Sequence, residues 1–449
     1  MQPFELDKTD LSKLKTAIDG DDQLLSATLA EYHASEIAIL FDNINSEDKQ
    51  RIINLLEVEK ASEVIAEMSE QAHPEELLIQ LHPEKRTEIV EELDYDDATD
   101  IISQLDEEDQ QEILEDLSAD DAESIRNLLS YDEETAGGLM NTQMIKVNIN
   151  FTKKDAIDEI IRQSEEIEEF YTVFVIDDDE TFKGIVSLKD IIKAKGNPKI
   201  TAMVKPDAVY VKAETDQEEV AKLLSQYNLT SIPVVNDELK LLGRVTFDDV
   251  IDVLEDENTE DILKISGVSE DEELAGNWID AVKSRLPWLI INLGTAFLAS
   301  AVVRYYEDTL AHLAILSAYM TIIAGMGGNA ATQALAVTVR RISLFDLTDQ
   351  QAYRTVLKEF TVGMINGAVT GLIVLAFAYF FDANLMLGLV IFLAMTGNLI
   401  IAGFTGAGIP LILKRVGIDP AIASSIIITT FTDVFGFLLL LGLASKLLL

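Results

Sequence analysis

The last third of the chain, after Pro287, is apolar in blocks long enough to cross a bilayer. A hydrocarbon core of about 30 Å takes roughly 20 helical residues. The pattern therefore predicts an all-α membrane domain over 285–449 with five spanning helices, at about 286–306, 311–339, 356–381, 384–413 and 418–447. The residues before it carry two kinds of repeat, each with its own period.

The first repeat is amphipathic and helical. The segment LHPEKRTEIVEEL at 81–93 recurs 24 residues later as LDEEDQQEILEDL at 105–117, and INSEDKQRIINLL at 44–56 keeps the pattern. Asp96 and Asp97 recur as Asp120 and Asp121 near the starts of helices, where N-capping is the simplest interpretation. Short helices that repeat at a fixed period bury their apolar faces by stacking, so residues 1–133 are predicted to form a helical, solenoid-like domain.

The second repeat mixes strand and helix signals. YTVFVIDDDETFKGIVSLKDII at 171–192 aligns without a gap on TSIPVVNDELKLLGRVTFDDVI at 230–251. Each copy reads as strand, helix, two strands and helix, and closes on Gly, two apolar residues, Ser or Thr, two residues and Asp. This pattern resembles a tandem pair of α/β CBS domains, over 134–200 and 201–257. In that family the hydroxyl and the carboxylate often bind an adenosine nucleotide, although many pairs bind none.

Acidic residues crowd the segment from 248 to 286, between the second repeat and the membrane domain. Helical spacing puts Asp249, Asp252 or Asp256, and Glu260 on neighbouring turns of one face. Carboxylates so close together repel one another unless a cation or water lies between them. Two interpretations stand: a long connecting helix, assigned to 258–284, whose carboxylates bind cations, and a solvated acidic linker.

The net charge of −45 is confined to the front of the chain. From Ser284 onward there are nine Lys and Arg and eight Asp and Glu, which leaves the front at −46 and the back at +1. Such a front repels nucleic acid and anionic lipid headgroups and attracts cations. With no cysteine, disulfides and thiolate metal sites are excluded, and the four scattered histidines show no zinc-type spacing.

Basic residues flank the predicted spans asymmetrically. One side of the membrane receives eight of them: Lys283, Arg285, Arg340, Arg341, Arg354, Lys358, Lys414 and Arg415. The other side receives Arg304 and Lys446. The positive-inside rule therefore predicts a multi-pass protein of the cytoplasmic membrane with its N-terminus inside and its C-terminus outside. The opening residues, MQPFELDKTD, lack the pattern of a secretory signal, in agreement with that orientation.

Asp433 lies near the middle of the fifth predicted span, in TTFTDVFGF. An ionised side chain at the bilayer centre costs at least about 2.5 to 3.5 kcal/mol. A protonated structural carboxyl or a helix-packing hydrogen bond would explain it, and so would an ion or proton site on a wet path with Thr429, Thr430 and Thr432 as further oxygens. The oxygen set suits a hard cation such as Mg²⁺ or Ca²⁺.

Other spans carry small and polar residues too, in GMGGNAATQALA at 325–336, MINGAVTG at 364–371 and MTGNLIIAGFTGAG at 395–408. Helix packing is the simplest role for Asn366 and Asn398, since small residues let helices approach and amides bond across the contact. The glycines of GMGGN are also able to break a helix where freed backbone groups face protein or a wet cavity. Asn329 is therefore the better pore candidate.

The order of helical repeat, ETAGGLM at 134–140, CBS pair, acidic connecting segment and spans with GMGGNAATQ, DPA at 419–421 and TTFTD resembles the MgtE family of magnesium channels. The resemblance covers nearly the whole chain. It implies a homodimer in the lipid bilayer, with a pore on the dimer axis for largely hydrated Mg²⁺. It also implies closure when cytoplasmic Mg²⁺ bridges carboxylates of the N-terminal, CBS and connecting ("plug") segments, and ATP as a possible CBS ligand.

Carried over residue by residue, the resemblance assigns three groups of site residues. The pore set is Asp433, Asn329, Thr332 and Thr429, with Thr332 where relatives can carry a second asparagine. The gating set is Asp249, Asp252, Glu257, Glu260, Asp261, Asp216, Glu218, Asp419, Asp96 and Asp97. The nucleotide set is Tyr171 and Asp190.

The residues and the resemblance together predict a Mg²⁺-selective channel or transporter that cytoplasmic Mg²⁺ closes. Two other functions stay open at this point: a membrane-anchored sensor of divalent cations or nucleotide that does not conduct, and a proton-coupled exporter in which Asp433 changes protonation. Enzymatic activity is not expected, because no set of nucleophile, base and orienting group and no phosphate-binding loop is recognisable.

Overall fold

A computed structural model describes residues 8–69, 72–164, 167, 170–269, 278–345, 347–422 and 425–449. Its internal contacts divide the chain into two compact units, Met1–Leu254 and Glu255–Leu449. The first unit holds both sequence repeats, and the second holds the apolar blocks. Each unit is described by itself below.

The N-terminal repeat forms short helices stacked around one apolar core. Leu25, Ile37, Ile52, Ile65 and Ile89 are fully buried in it. The predicted 24-residue period is visible in the helix starts, because α7 and α9 begin 24 residues apart and so do α8 and α10. The helices are α1 Lys8–Ile18, α2 Asp22–Leu29, α3 Ala34–Phe41, α4 Ser46–Leu55, α5 Val58–Ala66, α6 Pro74–Gln80, α7 Pro83–Glu92, α8 Tyr95–Ser103, α9 Glu107–Asp116 and α10 Ala119–Leu128.

The second repeat forms two small three-stranded sheets with the same topology. In each, the first strand is parallel to the second, and the second is antiparallel to the third. The 59-residue offset of the sequence alignment holds in the register, since Thr172 pairs with Ser187 and Ser231 pairs with Thr246. The elements are β1 Lys146–Asn148, α11 Lys153–Gln163, β2 Thr172–Ile176, β3 Phe182–Ser187, α12 Leu188–Lys193, β4 Val211–Lys212, α13 Gln217–Tyr227, β5 Ser231–Val235 and β6 Leu241–Thr246.

The acidic connecting segment is helical over a different range from the expected 258–284. Helix α14 runs from Phe247 to Ser266, so it starts directly after β6 and ends well before 284. Gly267 follows in the left-handed conformation, with φ of 75°, which favours glycine and ends the helix. Residues 270–277 lie outside the described part of the chain.

Among the described residues of the second unit, five helices are long and apolar enough to cross a membrane. They are α15 Trp278–Tyr305, α17 Leu316–Leu344, α18 Asp349–Phe381, α19 Leu385–Arg415 and α20 Ser425–Leu447, with the short α16 Glu307–His312 between the first two. The fifth starts later than the expected 418, because Pro420–Ile422 forms a 3₁₀ turn before it. Helix α17 continues through GMGGN, so these glycines do not break it.

Helix α19 is central to this unit and packs against α17, α18 and α20. Its apolar residues Val390, Ile391, Ala394 and Met395 are fully buried in the same core as Ile323 of α17. Helices α17 and α20 also pack against each other. Consequently the two segments that carry the predicted pore residues are neighbours, with α19 behind them.

Candidate metal-binding sites

The predicted pore residues lie on segments of α17 and α20 that are in direct contact. A Cβ placed on Gly328 would lie 3.3 Å from Thr429 Cγ2, and one on Gly327 would lie 3.1 Å from Thr432 Cβ. The GGN segment of α17 is therefore packed directly against the TTFTD segment of α20. Asn329 is exposed in the single chain, whereas Thr332, Thr429 and Asp433 are half-buried.

The threonine hydroxyls beside Asp433 are oriented by the helix backbone. Thr430 Oγ1 donates to the Ile426 carbonyl at 2.7 Å, and Thr432 Oγ1 donates to the Thr429 carbonyl at 2.9 Å. Thr429 Oγ1 likewise donates to the Ile426 carbonyl, at 3.2 Å. Because each hydroxyl proton is used on the backbone, the oxygen lone pairs of the half-buried Thr429 and Thr430 remain as acceptors toward a cation or its water, whereas Thr432 is fully buried.

Asp433 does not belong to either close group of three or more His, Asp and Glu side chains found among the described residues. The α17 and α20 motifs therefore offer sparse oxygens, with Asp433 as their one carboxylate. Such a set suits an ion that keeps most of its water, as Mg²⁺ does, better than one that needs a complete cage of protein ligands.

A carboxylate cluster lies in the first unit at the start of α8. Asp94, Asp96 and Asp97 each offer an oxygen within 4.8 Å of the others. Asp94 is the N-cap residue of α8 but its side chain makes no capping bond, and the expected capping role of Asp96 and Asp97 is not observed, because they lie inside the first turn. Asn141 Nδ2 donates to Asp96 Oδ1 at 3.0 Å, and both side chains are buried.

The pKa values in this cluster are raised. Burial is the main cause for Asp96, whose pKa lies well above its ordinary value, and the carboxylates of Asp97, Asp249 and Asp94 add to it. Burial, followed by the carboxylates of Asp94 and Asp249, raises the pKa of Asp97 to about 7. Desolvated carboxylates that repel one another take up protons unless a cation replaces them. The all-oxygen donor set and this charge pattern fit a hard divalent cation.

Asp249 faces the cluster from the first turn of α14. Its Oδ2 accepts from Thr246 N at 3.0 Å and from Thr246 Oγ1 at 2.6 Å. The Ser/Thr and Asp of the repeat's closing pattern therefore begin a helix here, as Ser187 and Asp190 do for α12. Burial also raises the pKa of Asp249, against the opposing effect of the hydrogen bonds from Thr246.

Asp94 and Asn141 were not identified from the sequence. The Asp96 and Asp97 pair stood out because it recurs with the 24-residue period, whereas Asp94 has Ser118 as its counterpart. Asn141 is held by a backbone bridge, with its N donating to the Arg244 carbonyl at 2.8 Å and its O accepting from Arg244 N at 2.9 Å. The link between Asn141 and Asp96 spans 45 residues, so no local pattern predicts it.

A second set of predicted gating residues meets inside the second unit. Ser343 Oγ of α17 donates to Asp261 Oδ2 at 3.2 Å, and Arg340 Nη1 donates to Asn258 Oδ1 at 2.6 Å. Burial raises the pKa of Asp261, as do the nearby carboxylates of Asp419 and Glu260, while the hydrogen bond from Ser343 opposes the shift. These contacts hold the end of α14 against the polar end of α17.

Lys264 was missing from the expected gating set, and it lies among these carboxylates. Its Nζ is 3.0 Å from Asp419 Oδ2 and forms an ion pair with Glu260, one turn earlier on α14. Asp419 Oδ1 in turn accepts from Ala421 N at 2.8 Å, which starts the 3₁₀ turn before α20. The cation that lies between Glu260 and Asp419 in this structure is therefore an ammonium group of the same chain.

The other predicted gating residues are not members of the close acidic groups found in the described part of the chain. Asp216 is the N-cap of α13 and accepts from Glu218 N at 2.9 Å, and neither belongs to a close acidic group among the described residues. On α14, Asp252 is exposed and Glu257 half-buried.

Tyr171 and Asp190 are the residues with an expected nucleotide role. Tyr171 directly precedes β2, and Asp190 lies in α12, which follows β3. Tyr171 is 67% exposed, at the start of β2, and so is accessible to a ligand. Asp190 lies in the first turn of α12, 3.9 Å from Lys205 Nζ.

One further close group, of His73, Glu75 and Glu76 at the start of α6, was not expected. Sequence reasoning missed it because HPEE reads as an ordinary helix start with proline in the first turn.

Three family models match the chain and together cover most of it. The model described as MgtE intracellular N domain matches residues 32–134, and the CBS domain model matches 136–197 and 200–256. The MgtE model, described as a divalent cation transporter, matches residues 320–443.

Curated proteins resemble the chain over most or nearly all of its length. "Magnesium transporter MgtE" of Thermus thermophilus is 32% identical over 438 residues, 96% of this chain and 96% of that protein. The protein of that name from Bacillus subtilis is 30% identical over 95% of this chain and 94% of its own length. That from Enterococcus faecalis is 35% identical over 70% of this chain and 69% of its own.

Solved structures resemble the front of the chain. The crystal structure of the cytosolic domain of the Mg²⁺ channel MgtE in complex with ATP covers 54% of this chain and 99% of that one, with a TM-score of 0.52 and 33% identity. The soluble part of a magnesium transporter covers 56% and 98%, with a TM-score of 0.51 and 26% identity. With these relatives, its CBS pair and its five apolar helices, the chain is a multi-pass membrane protein that belongs to the MgtE family of magnesium transporters.

Proposed function

We propose that two copies of this chain form a Mg²⁺-selective channel in the cytoplasmic membrane, which Mg²⁺ on the cytoplasmic side closes. The observation that carries the proposal is the packing of the GGN segment of α17 against the TTFTD segment of α20, with Asp433 as a carboxylate within the span. The relatives named magnesium transporters support Mg²⁺ as the transported ion. The basic residues at the inner ends of the spans support a cytoplasmic N-terminus.

The pore would hold Mg²⁺ through its water. Mg²⁺ gives up water reluctantly, so amide, hydroxyl and carboxylate oxygens of Asn329, Thr332, Thr429 and Asp433 would contact the hydrated ion. Two Asp433 carboxylates facing one axis repel each other when the axis is empty, and a divalent cation between them relieves that repulsion. The second chain therefore completes a site of which one chain supplies half.

Closure would follow from Mg²⁺ binding to the cytoplasmic carboxylates. The cluster of Asp94, Asp96, Asp97 and Asp249 is the strongest candidate, because burial and neighbouring carboxylates raise the pKa of its members when no cation is bound. A ligand that binds one of two conformations more tightly shifts the population toward it. Bridging of Asp216, Glu218, Asp252 or Glu257 by Mg²⁺ would add to the same shift.

We also propose that the first CBS domain binds ATP. The solved cytosolic domain of a Mg²⁺ channel MgtE, 33% identical to this chain, was crystallised in complex with ATP. Here the exposed ring of Tyr171 offers a stacking surface for a base, and Asp190 offers a carboxylate to a ribose. Loss of ATP binding in Tyr171→Ala would support this assignment, and unchanged binding would contradict it.

Mg²⁺ flux into liposomes tests the main proposal. We expect the wild-type protein to move Mg²⁺ down its gradient and Asp433→Ala to move it at least about tenfold more slowly, because the intramembrane carboxylate is lost. Glu307→Gln is the matched control, since Glu307 is an exposed acidic residue outside the spans. Wild-type protein that moves no Mg²⁺ would indicate a non-conducting sensor, and flux that needs a pH gradient would indicate proton coupling.

A further inference from the structure

Asn398 lies at the point where three spanning helices meet. It belongs to α19 and its side chain is fully buried. Its Nδ2 donates to the Ile323 carbonyl of α17 at 3.0 Å, a contact between residues 75 apart in the chain. The amide therefore links the central helix to α17 one turn before the GGN segment.

Two glycines on the neighbouring helices form the seat for this amide. A Cβ on Gly327 of α17 would lie 2.3 Å from Asn398 Nδ2, and a Cβ on Gly436 of α20 would lie 2.8 Å from the same nitrogen. Any other residue at either position would displace Asn398 or its helix. These three residues therefore set the distance between α17 and α20 on the side where α19 packs. Gly327 lies two positions before Asn329, and Gly436 lies three positions after Asp433.

Packing alone does not account for an asparagine here. Asn398 Oδ1 is buried and has no hydrogen-bond partner among the residues that the structure describes. A buried polar atom without a partner is unfavourable, and leucine would fill a similar volume without it. The contribution that distinguishes the amide from leucine is therefore its one hydrogen bond, which ties α19 to the backbone of α17 beside the pore segment.

We propose that Asn398 is a positioning residue for ion selection, which acts through the spacing of α17 and α20. The role rests on the pore function proposed above. Oxygen sets that select an ion must be held to within about 0.5 Å, and the Asn398 amide, seated between Gly327 and Gly436, is placed to hold them. Mg²⁺ keeps its octahedral shell of water, so the oxygens around it must match one fixed size and shape. Ca²⁺ accepts variable ligand numbers and geometry and therefore tolerates a looser spacing.

The test compares Mg²⁺ and Ca²⁺ flux through liposomes containing equal amounts of folded dimer. Asn398→Leu keeps the volume and removes the amide, and we expect the ratio of Mg²⁺ to Ca²⁺ flux to fall by about fivefold or more. Asn366→Leu is the matched control, because Asn366 is an exposed asparagine of α18. Its ratio should equal that of the wild type.

Gly436→Ala provides a second variant if Asn398→Leu does not fold. Its added methyl group meets the Asn398 amide from α20, so the ratio should shift in the same direction. An unchanged ratio in a folded variant, or an equal loss of both fluxes, would overturn the positioning role while leaving the channel intact as a proposal. Wild-type protein that moves no Mg²⁺ would instead remove the pore itself, and this role with it.

Discussion

Asp97 shows how burial makes a carboxyl group sensitive to both protons and metal. Its side chain lies in the first turn of α8, beside Asp94 and Asp96 and opposite Asp249. The pKa of about 7 means that a proton and a divalent cation compete for it near neutral pH. The raised pKa also makes the free energy of unfolding depend on pH. Between about pH 4 and pH 7 the folded protein binds more protons than the unfolded chain, so without metal its stability falls as pH rises through that window.

We therefore expect inhibition by cytoplasmic Mg²⁺ to strengthen with pH. Below the pKa of Asp97, one proton must leave the carboxyl group before the metal binds. Each unit by which the pH is lowered in that range therefore weakens metal binding by up to about tenfold. The concentration of Mg²⁺ that halves the flux should thus be several times higher at pH 6 than at pH 8. Asp97→Asn, which cannot titrate, is the control and should flatten this dependence. An equal pH dependence in that variant would assign the effect to another group.

At the scale of elements, α14 is held inside the second unit by more than its carboxylates. Ile265 packs in a core with Leu335 and Ile428, and Gly267 lies against Ile426. Lys264 also forms an ion pair with Asp419, and its positive charge offsets the negative charge of that carboxylate. The end of α14 is consequently attached without metal, and Mg²⁺ must compete with an ammonium group for Glu260 and Asp419.

Removal of that ammonium should make the attachment depend on Mg²⁺. The chain has no cysteine, so Ser343→Cys introduces a single thiol beside Asp261, and its rate of labelling by a maleimide reports the contact. We expect slow labelling in chelator with Lys264 present and labelling several times faster in Lys264→Gln, because Glu260 and Asp419 then repel. Added Mg²⁺ should restore slow labelling.

Lys283→Gln is the matched control, since Lys283 forms an exposed pair with Asp280. It should leave the labelling rate unchanged. Equally fast labelling in chelator with and without Lys264 would show that the lysine does not hold α14 in place.

At the scale of the whole molecule, charge is segregated along the chain. The front carries −46 and the membrane part +1, so cations are attracted to the front of the chain. The carboxylates of the front could act on Mg²⁺ in two ways, by general attraction of cations or as specific ligands. Variants that remove the same charge from different places separate the two.

We expect the triple variant Asp252→Asn, Glu257→Gln and Glu260→Gln to need several times more cytoplasmic Mg²⁺ for closure, because ligands of the closed state are lost. The control neutralises Glu47, Glu84 and Glu115, which are exposed on α4, α7 and α9 and change the net charge by the same three units. The control should inhibit like the wild type. Equal shifts in both triples would attribute the effect to net charge.

Local periodicity allowed much of this architecture to be predicted. Apolar runs of about 20 residues predict spans whatever their partners, because backbone groups in lipid must bond within the helix. The 24-residue and 59-residue repeats likewise recur in the helix starts and in the strand register, since each copy forms the same local structure. The lone carboxylate at Asp433 and the acidic pairs were also visible as local anomalies.

Tertiary structure decided the contacts that join distant residues. It brought Asn141 to Asp96 across 45 positions and seated Asn398 between Gly327 and Gly436, neither of which a local pattern specifies. It also ended α14 at Ser266 and directed Lys264 to Asp419. Sequence alone determined which residues are able to bind a hard cation, because that depends on their chemistry; which of them meet depends on packing between helices far apart in the chain.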